Sequence, residues 1–282
     1  MSKVAIVTDS TAYLPRDLLE KYHISVAPQV LIWGDEIFED GVDIQPTEFY
    51  TRLKTAKIMP STSQVTPKYF YQVFNDLSQK EYQILAILIS EKLSGTIASA
   101  VQARDMLPGA TIEIVDSYTS AMAMGFQILV AARAAAEGAN LSDCKALAEK
   151  ARQHVGVVFA VDTLEFLHRG GRIGGGSRFL GTALNIKPIL ELVDGRIEAI
   201  ERVRTRNKSL LRLAELVEER IGGREPVHLS ALQANAEEEA KELLSLTQNR
   251  LKCVETILSE VSPVIGTHVG PGTVGLAFMA GM

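Results

Sequence analysis

Cysteine is scarce in this chain, and its scarcity excludes two kinds of site. The 282 residues include two cysteines, Cys144 and Cys253, which lie far apart with no histidine-rich spacing around them. This pattern supports neither a disulfide framework nor a zinc site, so we expect no metal and no cofactor. Long apolar runs are missing too, since none reaches the roughly 20 residues that cross a bilayer. The first apolar strand also begins too close to Met1 for a signal sequence. We therefore expect a cytoplasmic protein with no integral membrane segment.

Positive charge is also in short supply. Lys and Arg number 29 against 34 Asp and Glu, which gives a net charge of −5. Because nucleic-acid binding needs a basic face to neutralise phosphates, we do not expect a nucleic-acid partner. The chain contains no Walker-type Gly-x-x-x-x-Gly-Lys tract and no acidic pair at a recognisable metal spacing, both of which are common in phosphotransferases.

Alternating Val- and Ile-rich runs and helical patterns predict an α/β fold in two domains. The predicted strands of the first half span residues 3–8, 24–32, 83–90 and 111–116. The helices span residues 15–22, 46–56, 67–79, 95–107, 120–137 and 142–154. We expect a mainly parallel sheet in residues 1–154, with residues 34–43 as a hairpin or an extended arm added to it. Residues 155–282 are predicted to form a mixed sheet, because Asp194-Gly195 signals a hairpin and two strand–helix alternations follow it.

Hydroxyl-rich turns follow three of the apolar runs, at Asp9-Ser10-Thr11, Ser94-Gly95-Thr96 and Asp116-Ser117. In a parallel sheet these turns share one edge. A fourth cluster, 61–64, is predicted to be a loop. Helix starts leave N–H groups unpaired and carry partial positive charge, so these turns predict an anion site. None of the four clusters contains Lys or Arg, which indicates neutral donors. For Asp9 and Ser94, helix capping remains an alternative to a role in binding.

Glycine is concentrated in two tracts of the second half. In 266–272, glycines surround His268 in a predicted turn that can present N–H groups to an anion. In 170–176, five glycines predict a loop. Basic residues lie in or beside this loop (Arg169, Arg172 and Arg178). Others follow the predicted hairpin (Arg202, Arg204, Arg206 and Lys208). They form either a solvated face or a surface for an acidic partner or a phosphate-bearing ligand.

Seven tracts together resemble the DegV family over nearly the whole chain. They are Val-Thr-Asp-Ser-Thr (7–11), Ser-Thr-Ser-Gln (61–64), Ser-Gly-Thr (94–96), Val-Asp-Ser (115–117), Phe-Leu-His-Arg-Gly-Gly-Arg-Ile (166–173), Lys-Pro-Ile-Leu (187–190) and Gly-Thr-His-Val-Gly-Pro-Gly (266–272). The resemblance implies a long-chain, palmitate-like fatty acid between two α/β domains. It implies that the hydroxyls of Thr62 and Ser94 bind the carboxylate, with the Gly95 N–H and His268 nearby.

The same resemblance implies a partner. Some family members are the lipid-binding subunit of a fatty acid kinase, and Arg169, Arg172, Arg202 and Arg204 match the surface that docks the kinase subunit. On this hypothesis the chain is a lipid-transport protein with no catalytic residue of its own, and lipid stays bound through purification. Two alternatives remain open. A phosphotransferase would bind nucleotide, and a regulatory module would bind its partner with or without lipid.

Overall fold

The computed structural model describes residues 3–174 and 186–282. Within these ranges the strands are β1 (Val4–Asp9), β2 (Ser25–Ala27), β3 (Val30–Trp33), β4 (Glu36–Glu39), β5 (Ser61–Ser63), β6 (Gln83–Leu88), β7 (Ile112–Asp116), β8 (Val155–Ala160), β9 (Lys187–Val193), β10 (Arg196–Val203), β11 (Val227–Gln233), β12 (Cys253–Glu260) and β13 (Val274–Ala280). The α-helices are α1 (Arg16–Lys21), α2 (Pro46–Leu53), α3 (Pro67–Gln79), α4 (Thr96–Asp105), α5 (Ala121–Ala136), α6 (Leu141–Ala151), α7 (Glu165–Arg169), α8 (Arg206–Ile221), α9 (Glu237–Gln248) and α10 (Pro263–Val269).

A four-stranded parallel sheet occupies the first half, in the order β2-β1-β6-β7. Val7 at its centre lies opposite Ser25 on one side and Ala86 on the other. The central strands are buried on both faces, as their continuous apolar runs predict. The carboxyl ends of β1, β6 and β7 therefore meet at one edge, which confirms that the three hydroxyl-rich turns share it.

A second, antiparallel sheet of three strands, β4-β3-β5, differs from the prediction. The segment 24–32, predicted as one strand, is divided between two sheets. Pro28 lies at the division, and it has no N–H with which to continue a ladder. The predicted arm at 34–43 does contain a hairpin strand, but β4 pairs with β3 in this separate sheet. Ser61–Ser63, predicted to be a loop, is strand β5.

The second half forms a six-stranded mixed sheet in the order β10-β9-β8-β13-β11-β12, as predicted in outline. Among the described strand-to-strand ladders of this sheet, β11–β12 is parallel and the other four are antiparallel. The hairpin at Asp194-Gly195 is confirmed, with both residues at positive φ. Strand β13, in the middle of the sheet, was not predicted. Residues 266–269, predicted to begin a Gly-rich turn, form the end of helix α10.

Helix α5 lies between the two large sheets. It contacts β1 and β6 on one side and β8, β11 and β13 on the other. Its residues from Ala121 to Leu129 are all buried, which is typical of a helix that is apolar on every face. Helices α3 and α4 cover the outer face of the parallel sheet, while α8 and α9 cover that of the mixed sheet. One hydrophobic cluster includes residues from both halves, so the division into two domains at residue 154 stays a prediction.

Membrane-spanning length is not reached by any apolar helix within the described ranges. The longest helices, α5 and α8, have 16 residues each.

Candidate functional site

A cleft forms where β5, the turn after β6, α10 and the Gly-rich tract meet. It contains an outer head cavity of about 180 Å³ and an inner head cavity of about 50 Å³, and both are lined by Thr62, Arg172 and His268. Ser94 lines the inner one. Gly95 lies against the side chain of Gln64, since a Cβ added at Gly95 would be 3.2 Å from Gln64 Cδ. The structure thus places Thr62, Ser94 and His268 around one cleft, with Gly95 beside it.

Ser94 belongs to a chain of hydrogen bonds rather than to a helix cap. Gly95 is the N-cap of α4, with no side-chain capping bond, so the N-cap interpretation of Ser94 is wrong. Ser94 Oγ lies 2.9 Å from Thr96 Oγ1, and Gln29 Nε2 donates to the same Thr96 oxygen at 2.8 Å. With Gln29 as its donor, the Thr96 hydroxyl can donate to Ser94. The Ser94 hydrogen is then available to the inner head cavity.

His268 stands on the last turn of α10 with its Nε2 2.8 Å from Thr62 Oγ1. Burial, and secondarily the charge of Arg172, lowers the pKa of His268 to about 4. The imidazole is therefore neutral at pH 7. Its Nδ1 is buried with no hydrogen-bond partner among the described residues, so we place the ring proton on Nε2. Nε2–H then donates to Thr62, and the Thr62 hydrogen is free to point into the cavity.

Gly170 is required by the close approach of this imidazole. A Cβ at residue 170 would lie 2.0 Å from His268 Nδ1, far inside van der Waals contact. Within the Gly-rich tract, this glycine lets α10 and the end of α7 meet beside the cleft. Gly175, Gly176 and Arg178 lie outside the described residues.

Arg172 brings a positive charge to the cleft that the sequence analysis assigned to a partner surface. Its Nε donates to the Leu93 carbonyl at 3.1 Å and its Nη1 to the Gly170 carbonyl at 2.6 Å. These bonds tie the Gly-rich tract to the turn that carries Ser94. The guanidinium has five N–H groups, so it retains donors beyond these two. The expectation of neutral donors alone therefore does not describe this cleft.

An apolar slot continues inward from the head. A tail cavity of about 60 Å³ shares four apolar lining residues with the inner head cavity: Leu93, Ile197, Ile265 and Val269. Beyond them it lies between the first residue of α5, Ala121, and the mixed sheet, where Phe159 and Leu232 line it. The site therefore changes from polar at the head to apolar at the far end.

The other predicted basic residues lie away from the head. Arg169 is exposed at the rim of the outer head cavity and pairs with Glu165 at 2.6 Å. Arg202 and Arg204 are exposed and line neither head cavity. Arg206 differs from the expected surface role, because it makes a bidentate ion pair with Glu239 and lies largely buried.

Two buried carboxyl groups, those of Asp9 and Asp40, hold residues that line the inner head cavity. Asp9 accepts from Thr11 N and Thr11 Oγ1 at 3.0 and 2.6 Å and from Ile89 N at 2.9 Å. It therefore caps the short 3₁₀ turn Ser10–Ala12 and orients the Thr11 hydroxyl, whereas the N-cap of α1 is Pro15, so Asp9 does not cap the helix that starts near Pro15. Asp40 accepts from Ser10 Oγ at 2.6 Å and Val264 N at 3.2 Å, and burial raises its pKa to about 6. Asp40 was not singled out in the sequence, where it is one acidic residue among several in 35–43.

Across residues 3–174 and 186–282, no group of three His, Cys, Asp or Glu side chains is arranged to hold a metal.

Fold and site together define an α/β protein whose two large sheets share a buried helix and whose interior holds a slot with a polar head and an apolar tail. Comparison with known proteins then gives the family. The family model described as "Uncharacterised protein, DegV family" matches residues 3–281, and the chain belongs to the DegV family.

Relatives support this assignment over their full length. A DegV domain-containing protein of Streptomyces coelicolor is 37% identical over 275 residues, covering 97% of each chain. A solved structure of a DegV family protein from Thermus thermophilus, described by its fatty acid binding, superposes with a TM-score of 0.93 at 34% identity and 99% coverage of both chains. That of DegV from Bacillus subtilis, described as a fatty acid binding protein, gives a TM-score of 0.89 at 31% identity, covering 99% of this chain and all of the other.

Proposed function

We propose that this protein binds a long-chain fatty acid, with the carboxylate in the inner head cavity and the acyl chain in the apolar slot. The observation that carries the proposal is that the inner head cavity and the tail cavity adjoin and share four apolar lining residues, Leu93, Ile197, Ile265 and Val269. An anionic head joined to an apolar tail matches this change of polarity. The relatives described as fatty-acid-binding proteins support the same ligand class.

The tail supplies most of the binding free energy. A palmitate-like chain has about fourteen methylenes, and burying each contributes about 0.8 kcal/mol, so the gross gain is on the order of 10 kcal/mol. Association and chain ordering reduce this by several kcal/mol. The inner head and tail cavities, about 50 and 60 Å³, are together too small in volume to hold such a chain. The apolar walls therefore separate on binding.

The head group sets the orientation. Thr62 and Ser94 each have a hydroxyl hydrogen available to the cavity, and Arg172 adds a charge-assisted donor. Two of the Arg172 donors are held by backbone carbonyls, whose dipoles partly offset its positive charge. Neutral His268 positions Thr62 without adding a second positive charge.

We further propose that the chain presents the acid to a separate kinase. The kinase transfers the terminal phosphoryl group of a nucleoside triphosphate to a carboxylate oxygen, which forms an acyl phosphate and releases the nucleoside diphosphate. The outer head cavity connects Thr62 with the rim at Arg169, which gives an approach to the carboxylate from solvent. Arg169, Arg202 and Arg204 are exposed and form the proposed docking surface. Arg172 is assigned to the lipid head. The chain then acts as a carrier and contributes no catalytic group.

Native mass spectrometry of freshly purified protein, followed by lipid extraction, tests the ligand. We expect a bound long-chain fatty acid, and after its removal we expect Ser94→Ala and Thr62→Ala each to weaken rebinding about tenfold, since a hydrogen bond to a charged group contributes about 1.5–3 kcal/mol. Ser142→Ala, on the exposed face of α6, is the control. Unchanged affinity in the Ser94/Thr62 double variant would refute this head site.

A kinase assay tests the carrier role. With the acid bound, the variant Arg169→Gln/Arg204→Gln is expected to retain wild-type lipid affinity and to lose phosphorylation by the partner kinase, while Arg16→Gln on α1 behaves as wild type. Acyl phosphate made by this chain alone with nucleotide would favour the phosphotransferase hypothesis. Equal capture of the kinase by lipid-free and lipid-bound protein would favour the interaction module.

A further inference from the structure

The tail cavity borders a second, polar space on one side. This hairpin cleft, of about 600 Å³, lies between the loop after β7, the end of α6 and the β9–β10 hairpin. Leu192 of β9 is the one residue common to the described linings of the tail cavity and the hairpin cleft. It is half-buried and lies directly across the β9–β10 ladder from Ile197, which lines the tail cavity and the inner head cavity.

Neighbouring residues approach the same boundary from other elements. Ser120 lines the tail cavity while the preceding Thr119 lines the hairpin cleft. On β8, Val157 lines the tail cavity while Gly156 lines the cleft. The two spaces are thus separated by a single layer of residues, and within the described residues Leu192 is the one that lines both.

The hairpin cleft offers positive charge next to this boundary. Arg152 lies 5.1 Å from the ring centroid of Tyr118, its Nε is buried without a hydrogen-bond partner in the described residues, and the acidic oxygen paired with it, on Glu149, is 3.9 Å away. Lys92 Nζ lies 5.6 Å from the same ring and donates to the Asp194 carbonyl.

Two acidic residues also line the cleft. The carboxylate of Glu191 is occupied by a bidentate pair with Arg220, and Asp194 lies beside Lys92, which donates to its carbonyl. An acyl methyl group gains nothing from entering such a space, whereas a carboxylate does.

We propose that Leu192 closes the apolar slot toward the hairpin cleft and sets the longest acyl chain that the protein accepts. The inference rests on the proposed fatty-acid binding and adds its specificity determinant. A larger side chain at residue 192 shortens the slot. A smaller one opens it into the hairpin cleft, where a carboxylate at the far end of the chain meets Arg152.

Competition binding on delipidated full-length protein tests this inference. The ligands are saturated acids of twelve to twenty-two carbons and a twenty-carbon α,ω-dicarboxylic acid. Leu192→Phe is expected to move the preferred length toward shorter chains by about two carbons, with about tenfold weaker binding of the acid that wild type prefers. Leu192→Ala is expected to bind the dicarboxylic acid about tenfold more tightly than wild type, and Arg152→Gln in that background removes the gain.

Val193→Ala is the matched control, because Val193 is the next residue of β9 and lines the hairpin cleft but not the tail cavity. A length profile in Leu192→Phe that equals wild type, or a dicarboxylate affinity in Leu192→Ala that equals Val193→Ala, overturns the inference. If Leu192→Ala still binds the dicarboxylic acid more tightly after Arg152→Gln is added, the second carboxylate does not meet Arg152 and the inference about the hairpin cleft is wrong. If wild type binds no acid of any length, the proposed fatty-acid binding itself fails. That result differs from the ones above, in which wild type binds and only the role of Leu192 fails.

Discussion

At the head of the slot, three predicted residues are neutral and one residue, Arg172, is positively charged. Thr62, Ser94 and His268 were all predicted from the sequence, through hydroxyl-rich turns and the family resemblance, and the structure brings them to one cleft. Arg172 was assigned elsewhere because a basic residue in a Gly-rich tract has the same sequence pattern whether it faces solvent or turns inward. Its backbone acceptors, Leu93 and Gly170, hold it at the cleft, and only the fold brings Leu93 to it.

The pKa of His268 gives the first prediction at this scale. Burial lowers it to about 4 and the Arg172 charge contributes, so a histidine NMR titration is expected to find a midpoint near pH 4. Arg172→Gln removes the like charge and is expected to raise that midpoint. His23→Gln, at a distant turn, serves as the control. A midpoint near 6.5 in the wild type, or no change in Arg172→Gln, would contradict the close packing of the two side chains.

The same pKa sets a direction for stability. Between about pH 4 and 6.5 the unfolded chain binds a proton at His268 and the folded chain does not. The free energy of unfolding therefore falls as the pH is lowered through this window. Comparing denaturant unfolding of His268→Gln with wild type at several pH values isolates this contribution, and the difference between the two proteins is expected to change only below about pH 6.5.

At the scale of elements, local patterns predicted the parallel strands, the hairpin at Asp194-Gly195 and most helices. These local patterns did not predict strands whose formation depends on pairing with strands that are far away in the sequence. β5 is three polar residues, Ser61–Ser63, and its ladder with β3 supplies the strand character that its composition lacks. β13 is apolar and buried along its length, and a short apolar run reads equally as strand or helix without its neighbours β8 and β11.

Helix α5 leads to a prediction about cooperativity. Because α5 packs on both large sheets, a cavity within it weakens both together. Leu129→Ala, at a fully buried position, is expected to lower the free energy of unfolding by about 2–5 kcal/mol in a single transition followed by circular dichroism and tryptophan fluorescence. Leu211→Ala, on the exposed side of α8, is expected to change it by less than about 0.5 kcal/mol. Two separate transitions, one of them unchanged by Leu129→Ala, would contradict a shared layer.

At the scale of the whole molecule, Asp40 joins three structural parts at one carboxyl group. It follows β4, accepts from Ser10 at the end of the parallel sheet and accepts from the Val264 N–H in the first turn of α10. Nearby, Asp9 at the end of β1 accepts from the N–H of Ile89, which follows β6, and so links these two strands of the parallel sheet. No local pattern distinguishes Asp40 from Asp35 or Asp43, because its burial arises only when all three parts assemble.

The titration of Asp40 therefore reports on that assembly. Burial raises its pKa from 3.8 to about 6, so between these values the folded protein holds a proton that the unfolded chain releases. Its contribution to stability is complete below about pH 3.8 and is lost as the pH rises through 6. Asp40→Asn keeps a neutral group there, and its free energy of unfolding relative to wild type is expected to improve by on the order of 2 kcal/mol between pH 4 and pH 7.5.

Denaturant unfolding at the two pH values measures this change, and Asp76→Asn on the exposed side of α3 is the matched control. His268 acts in the opposite direction over an overlapping range, but it is present in both proteins, so its effect cancels in the difference. A relative stability of Asp40→Asn that does not vary with pH would mean that water reaches the junction of the two sheets and α10, and that the three parts are not closed around this carboxyl group.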